Sequence, residues 1–152
     1  GTDGNGYDRL IVKSGGMRCR NVIRDLSFDE SGNPKSSDHL YMDGSEIFNF
    51  TLEMVPKLVQ NTLEANNLIK ADIDQFIFHQ ANKYLMSFLL KKIQIPEDKF
   101  YYYLDKVGNT VSSTIPIALC EALKDKTIKK DDNVLLAGFG VGYSWAGTIL
   151  KF

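Results

Sequence analysis

The stretch Gln75-Phe76-Ile77-Phe78-His79-Gln80-Ala81-Asn82 (QFIFHQAN, residues 75–82) decides how this chain folds. Its apolar run, residues 76–78, is typical of a parallel-sheet strand that is buried on both faces. His79 ends this strand, and a helix with apolar residues at helical spacing begins near Asn82. The stretch therefore predicts a buried strand that runs into a helix, with a histidine at the junction.

A second polar residue at a strand-to-helix junction follows thirty positions later, in Lys106-Val107-Gly108-Asn109-Thr110. Histidine and asparagine at two such junctions can aim two hydrogen-bond donors at one oxygen atom. That arrangement is an oxyanion site, and it indicates carbanion or acyl chemistry. No cysteine or serine of the chain has the setting of a matching nucleophile.

Length and composition restrict the class of protein. The chain has 152 residues, of which 43% are hydrophobic and 24% are charged, as expected for a soluble domain with one real core. The net charge of -1 predicts neither nucleic acid nor a membrane surface as a partner. No apolar run is long enough for a membrane span, and the polar start (residues 1–6) does not resemble a signal peptide. Cys19 and Cys120 do not form a disulfide framework, so we expect a cytoplasmic protein.

The rest of the chain alternates between helical and strand patterns, which predicts an α/β fold with a mixed sheet and helices packed on it. Asp43 and Glu46 form a capping-box pattern at the start of the first helix. The expected helices cover 43–66, 82–93 and 109–124, and the expected strands cover 75–78, 100–104, 133–139 and 143–152. Residues 1–41 are less regular, with one expected strand (7–14) and one expected loop (31–37). We therefore divide the chain into an edge segment, 1–41, and a main unit, 42–152.

Three motifs together resemble a known family: His79-Gln80-Ala81-Asn82, Gly108-Asn109-Thr110, and residues 138–147 (GFGVGYSWAG). In their order and spacing they are similar to the C-terminal half of a 3-oxoacyl-[acyl-carrier-protein] synthase III. The resemblance extends from about Met42 to Phe152. It implies the C-terminal half of a thiolase-like fold, with 1–41 coming from the junction between two halves.

The resemblance also implies a Cys-His-Asn triad, in which His79 and Asn109 match two members. The cysteine belongs to the N-terminal half, which this chain lacks, so we expect the chain alone to be inactive. Enzymes of this family transfer an acyl group from acyl-CoA to the cysteine and condense it with malonyl-ACP, with loss of carbon dioxide. The enolate formed by decarboxylation needs N–H donors, and we expect neutral His79 and Asn109 to supply them. No cofactor is expected beyond the acyl-CoA and malonyl-ACP substrates.

Further roles follow from the same resemblance. Val141, between Gly140 and Gly142, is expected to supply a backbone N–H to a second oxyanion hole. Four residues match positions along the substrate and pantetheine tunnel: Gly44, Phe48, Asn82 and Phe139. The expected carrier-protein docking residues are Lys83, Lys91 and Lys92, although Tyr84 replaces an arginine that is common in relatives. The expected partners are the acyl carrier protein, the protein's own N-terminal half and, in the full-length enzyme, a second copy in a homodimer.

Simpler interpretations exist for each of these residues. Asn82 and Asn109 are both good helix N-caps, the glycines at 138–142 suit a hairpin turn, and the lysines suit a solvated helix face. Cys120 lies in an apolar pattern and is expected to be a core thiol, whereas Cys19, between two arginines, matches no catalytic position. Two other functions stay open: a thiolase-fold acyltransferase of secondary metabolism, and a non-catalytic carrier-protein-binding homologue.

Overall fold

The fold is built around a three-stranded mixed sheet. The computed structural model describes residues 1–152. Four two-residue strands come first, and the main helices and strands follow them. In chain order the elements are β1 (Leu10–Ile11), β2 (Ser27–Phe28), β3 (Pro34–Lys35), β4 (Tyr41–Met42), α1 (Gly44–Ala65), β5 (Gln75–Phe78), α2 (Lys83–Ile93), α3 (Leu104–Val107), α4 (Thr114–Lys124), β6 (Asn133–Gly140) and β7 (Ser144–Lys151).

The sheet has the predicted mixture of parallel and antiparallel pairs. The strand order is β5-β6-β7, with β5 parallel to β6 and β6 antiparallel to β7. All four residues of β5 are buried. Phe76 and Phe78 pack into the larger core with α1 and α2, and Ile77 packs into a smaller core with α4. The sheet therefore lies between two layers of helices, and the predicted α/β class is confirmed.

Helix α1 is placed by its cap and by one close approach. Asp43 caps it as predicted, since its carboxylate accepts a hydrogen bond from the Glu46 N–H at 3.1 Å. The other half of the expected capping box does not form, because the Asp43 N–H donates to the Arg9 carbonyl at 2.7 Å instead of to the Glu46 side chain. On the sheet side, α1 crosses β7 at Gly147, where a Cβ atom would collide with the Thr62 hydroxyl and approach Leu58 Cδ1 to 3.2 Å. Glycine at 147 therefore permits this packing distance.

Two elements near the second junction differ from the prediction. Residues 100–104 form no strand, because they make one bridge, Phe76 with Phe100, and α3 then begins at Leu104. The predicted helix 109–124 begins only at Thr114, after a 3₁₀ turn that starts at Val111 with a φ of 57°. Hydrogen bonds to side chains determine the backbone conformation between residues 104 and 113. The spacing of apolar residues contains no information about these bonds.

The first 41 residues also differ in detail. The expected strand 7–14 is reduced to β1, which pairs with β4. The expected loop 31–37 contains β3, which forms a hairpin with β2. Cys120 was predicted to be a core residue and is exposed. The buried face of α4 runs through Thr114, Ala118 and Ala122, and Cys120 lies halfway between the last two, on the opposite side.

No helix is both long enough and apolar enough to cross a membrane. The division of the chain at residues 41 and 42 stays a prediction.

Candidate active site

His79 is positioned by the sheet. Its backbone N–H donates to the Ala137 carbonyl at 2.9 Å, directly after the last residue of β5. The ring is half-buried and meets Phe139 edge to face, with 5.5 Å between ring centroids. Burial lowers the pKa of His79, and the nearby Val111 carbonyl opposes that change. A neutral imidazole at physiological pH fits this environment.

Asn109 is positioned by its own loop. Gly108 has φ 69° and ψ -165°, a conformation that is essentially restricted to glycine. The Asn109 side-chain oxygen accepts a hydrogen bond from the Val111 N–H at 2.9 Å. This contact identifies the oxygen of the amide, so the NH₂ group points the other way. That NH₂ group makes no hydrogen bond within the chain, which leaves it available to a ligand.

His79 and Asn109 lie in the wall of one cavity of about 780 Å³. Phe139, Gly140 and Val141 line the same cavity, and Gly142 lies just outside it in the turn between β6 and β7. The Val141 N–H makes no hydrogen bond in the chain. The cavity thus brings together two candidate side-chain groups and one free backbone donor, each at a position that the motifs predicted.

Gln80 connects the two junctions, and sequence reasoning missed its role. The side chain is 2% exposed. Its nitrogen donates to the carbonyls of Phe78 at 3.2 Å and Tyr101 at 3.1 Å, while its oxygen accepts from the N–H groups of Tyr103 at 2.9 Å and Leu104 at 3.1 Å. One amide therefore joins the end of β5 to the segment that leads to Asn109. A polar residue inside an otherwise apolar junction was the available signal.

Thr114 is a second residue that the sequence did not reveal as part of the site. It lines the cavity, is 2% exposed, and places its hydroxyl oxygen 2.7 Å from Nδ1 of His79. Its position four residues before Ala118 placed it on the buried face of α4. A buried hydroxyl at a helix start was therefore readable from spacing, although its contact with His79 was not.

The predicted tunnel residues Gly44, Phe48 and Asn82 do not line this cavity. Asn82 caps α2, because its side-chain oxygen accepts from the Leu85 N–H at 2.8 Å. Phe48 stacks on Tyr84 with ring centroids 6.0 Å apart, and Phe88 completes an aromatic cluster on α1 and α2. Tyr84 is 66% exposed and Phe88 is 43% exposed, so this cluster faces solvent.

The predicted docking lysines are all exposed on α2. Lys83 lies within 3.5 Å of Asp105, whereas Lys91 and Lys92 form no ion pair and occupy the last turn of the helix. Neither cysteine lines the cavity. The chain contains no group of three or more histidine, cysteine, aspartate or glutamate side chains that could hold a metal ion.

The chain forms a thiolase-like α/β unit. Its cavity is surrounded by a buried parallel strand that ends in histidine, a glycine-rich hairpin and an asparagine loop. Comparison with known proteins assigns it further. The family model described as 3-Oxoacyl-[acyl-carrier-protein (ACP)] synthase III C terminal matches residues 63–152. The chain belongs to this family and corresponds to its C-terminal part.

Individual relatives agree with this assignment. Over its whole length the chain is 38% identical to a beta-ketoacyl-[acyl-carrier-protein] synthase III of Clostridium tetani and covers 46% of that protein. A crystal structure of a 3-oxoacyl-(acyl-carrier-protein) synthase III superposes on the whole chain with a TM-score of 0.93 at 42% identity, with 46% of that chain covered. A 3-oxoacyl-(acyl-carrier protein) synthase of Burkholderia xenovorans gives a TM-score of 0.85 at 41% identity, covering 99% of this chain and 42% of the other. The chain thus spans just under half the length of these relatives.

Proposed function

We propose that this chain contributes the histidine and asparagine of a Cys-His-Asn active site that condenses an acyl-CoA with malonyl-ACP at the start of fatty-acid synthesis. The observation that carries the proposal is the pair formed by His79 and Asn109. They lie in one cavity, and the Asn109 NH₂ group is unpaired while its oxygen is fixed by Val111.

The chemistry follows from what these groups can bind. When the malonyl thioester loses carbon dioxide, the electron pair of the broken C–C bond forms an enolate with its charge on the thioester oxygen. The groups that would bind this oxygen are the Asn109 NH₂ group and the N–H at Nε2 of the neutral His79 ring. The enolate carbon then attacks the acyl thioester on the cysteine, a C–C bond forms, and the cysteine thiolate leaves. One oxyanion donor typically contributes about 3 kcal/mol to such a step.

The second oxyanion is assigned to the Val141 backbone. In the acyl-transfer half of the reaction, a tetrahedral intermediate carries its charge on the former thioester oxygen. The free Val141 N–H, with the N–H of the cysteine from the other half, would bind this oxygen. Gly140 and Gly142 on either side shape the turn that presents this donor.

The substrate path and the carrier protein are assigned to the surface of α1 and α2. Gly44, Phe48 and Asn82 are the residues that we propose for the pantetheine arm because of the family resemblance, and they lie outside the cavity that contains His79. The exposed aromatic cluster of Phe48, Tyr84 and Phe88 offers an apolar contact beside Lys91 and Lys92, whose charges suit an acidic carrier protein. Lys83 contributes less, because Asp105 lies opposite it. Phe139 shapes the cavity around His79.

The remaining proposals concern the other half of the enzyme, its assembly and its location. We propose that an N-terminal half supplies the nucleophile, that the full-length enzyme is a cytoplasmic homodimer, and that it needs no resident cofactor, nucleic acid or membrane. The solvent side of α4 supports an interface with that half, since Leu123 there is 42% exposed beside the exposed Cys120. On its own the chain should therefore self-associate, and a stable monomer in analytical ultracentrifugation would contradict this interface.

A chimaeric enzyme tests the proposed reaction. The chain replaces the matching segment of the Clostridium tetani relative, which restores an N-terminal half. The chimaera should release carbon dioxide from malonyl-ACP and form the 3-oxoacyl product, whereas the isolated chain should form none. Condensation by the isolated chain would refute the missing-nucleophile argument. Transfer to an oxygen or nitrogen acceptor instead would favour the secondary-metabolism alternative, and carrier-protein binding without turnover would favour the binding module.

A further inference from the structure

We propose that Tyr143 is a positioning residue for the Val141 N–H, because it fixes the turn between β6 and β7 against residues 1–7 and against α1. The catalytic meaning of this inference rests on the proposed function, in which Val141 binds the oxyanion of acyl transfer. Its structural content does not, because it concerns contacts within the chain.

Val141 itself contributes little to its own position. Its side chain is 39% exposed, and its N–H makes no hydrogen bond in the chain. Its carbonyl accepts a hydrogen bond from the Ser144 hydroxyl that is long, at 3.4 Å. The direction of the Val141 N–H therefore depends on how the whole turn is held.

The backbone of Tyr143 is held by the start of the chain. The Asp3 N–H donates to the Tyr143 carbonyl at 2.8 Å, and the Tyr143 N–H donates to the Asp3 carbonyl. Two residues further on, the Trp145 N–H donates to the Gly1 carbonyl at 2.9 Å. Residues 1–3 thus lie along the first part of β7 and fix the C-terminal end of the turn.

The ring of Tyr143 is held by close packing. Phe50 of α1 stacks on it, with 4.0 Å between the ring centroids and 6° between the ring planes. Gly6 lies so close that a Cβ atom at this position would overlap Cδ2 and Cε2 of the ring. The Tyr7 Cα also lies 3.4 Å from the place where a Cβ atom of Gly142 would be. A ring packed in this way cannot turn without moving α1 or the start of the chain.

The Tyr143 hydroxyl does not contribute to this packing through a hydrogen bond. It is buried and has no hydrogen-bond partner. Because a buried unpaired polar group costs free energy, its removal should not weaken the packing. Phenylalanine should therefore hold the turn as well as tyrosine does, which makes Tyr143→Phe the conservative variant.

The two proposed oxyanion sites consequently depend on different parts of the chain. In acyl transfer, the cysteine thiolate adds to the acyl-CoA carbonyl carbon, the oxygen takes up the negative charge, and coenzyme A leaves as a thiolate when the carbonyl re-forms. The donor that we assign to this step is Val141, which Tyr143 positions. Decarboxylation of malonyl-ACP instead uses His79 and Asn109, which are held by other contacts.

The two half-reactions of the chimaera test this inference. Tyr143→Ala should slow acyl transfer from acyl-CoA, measured as release of coenzyme A, about a hundredfold. Malonyl-ACP decarboxylation should stay near the wild-type rate, and Tyr143→Phe should keep both rates. Equal losses in the two half-reactions, or unchanged acyl transfer in folded Tyr143→Ala, would overturn the proposal.

Two glycines of one 3₁₀ turn provide a matched pair of variants. Gly6→Ala should slow acyl transfer about tenfold, because the added methyl group displaces the Tyr143 ring. Gly4→Ala should have no effect, since a Cβ atom there meets nothing within 4 Å. Equal rates for the two variants would contradict the role of the ring contact.

Nitrogen-15 relaxation of the 152-residue chain tests the structural content without turnover. The order parameter of the Val141 amide should be about 0.85 in the wild type and in Tyr143→Phe, and it should fall below about 0.6 in Tyr143→Ala. A Val141 amide that is equally ordered in Tyr143→Ala would overturn the proposal. This result decides the proposal even if the chimaera is inactive, so the two failures can be told apart.

Discussion

The two candidate catalytic residues are held in place by different kinds of interaction. His79 follows a strand whose four residues are all buried, so hydrophobic packing sets its position. Asn109 is exposed and lies between a short helix and a 3₁₀ turn, where a glycine conformation and one hydrogen bond set its position. The comparison shows that a site can combine a group placed by the core with a group placed by local polar contacts. Mutations on the two sides should therefore have different consequences.

The largest effect is expected where the two sides are connected, at Gln80. Gln80→Leu would leave two carbonyl groups and two N–H groups without their partner. We expect the free energy of unfolding to fall by about 3 kcal/mol, because buried unpaired polar groups are costly. Urea denaturation of the chain measures this loss.

Gln60→Leu serves as the control for this substitution. Gln60 is an exposed residue of α1 whose amide contacts Glu64 alone. Its replacement should cost less than about 0.5 kcal/mol. Equal losses for the two variants would show that Gln80 does not connect the junctions.

The next largest effect is expected in the hydrophobic packing between α1 and the sheet. Gly147→Ala adds a methyl group where α1 crosses β7, against Thr62 and Leu58. We expect a loss of about 2 kcal/mol in the free energy of unfolding, since a packed core accommodates added atoms poorly. Thermal unfolding followed by circular dichroism measures it.

Gly16→Ala is the control for the added methyl group. A Cβ atom at Gly16 meets nothing within 4 Å, and the residue has no positive φ. Its stability should stay near that of the wild type. A neutral result for Gly147→Ala would mean that α1 and β7 are less closely packed than described.

A smaller effect on stability is expected on the loop side. Asn109→Asp keeps an oxygen to accept the Val111 N–H and replaces the NH₂ group by a second oxygen. Because the residue is exposed, the free energy of unfolding should change by less than about 0.5 kcal/mol. Decarboxylation by the chimaera should nevertheless fall about a hundredfold or more. A large loss of stability instead would show that the Asn109 side chain is needed for folding and not only for decarboxylation.

The smallest effect is the pH dependence that His79 contributes to folding. Burial lowers its pKa in the folded chain below the ordinary value of 6.5, so the unfolded chain binds the proton more tightly. The contribution of His79 to stability is therefore complete above that value and is lost as the pH falls below it. Between about pH 7.5 and about pH 5, wild type should lose more stability than His79→Gln. Substitution of the exposed His39 is the control, and it should not reproduce this difference.

The sequence predicted the parts of the fold that depend on burial and local capping. The apolar run 76–78, the hairpin after residue 133 and the Asp43 cap all appear as expected. These features follow from patterns within a few residues. His79 could be predicted for the same reason, because it directly follows the buried strand.

The remaining features depend on contacts between distant residues. The expected strand 100–104 does not form, because the N–H groups of Tyr103 and Leu104 donate to the side-chain oxygen of Gln80, about twenty positions earlier in the chain. The apolar neighbours of Cys120 predict a core position for it. The buried face of α4 instead contains Ala118 and Ala122, and Cys120 points away from that face. The contact of Thr114 with His79 spans 35 positions, so no local pattern could have revealed it.

The central claim is that His79 and Asn109 act on one oxygen of the malonyl thioester. The most direct test compares the rate of malonyl-ACP decarboxylation by the chimaera with those of His79→Ala, Asn109→Ala and the double variant. Each single variant should lose about a hundredfold or more, and the double variant should lose less than the product of the two losses, because both groups bind the same oxygen. Either single variant retaining the wild-type rate would contradict the account.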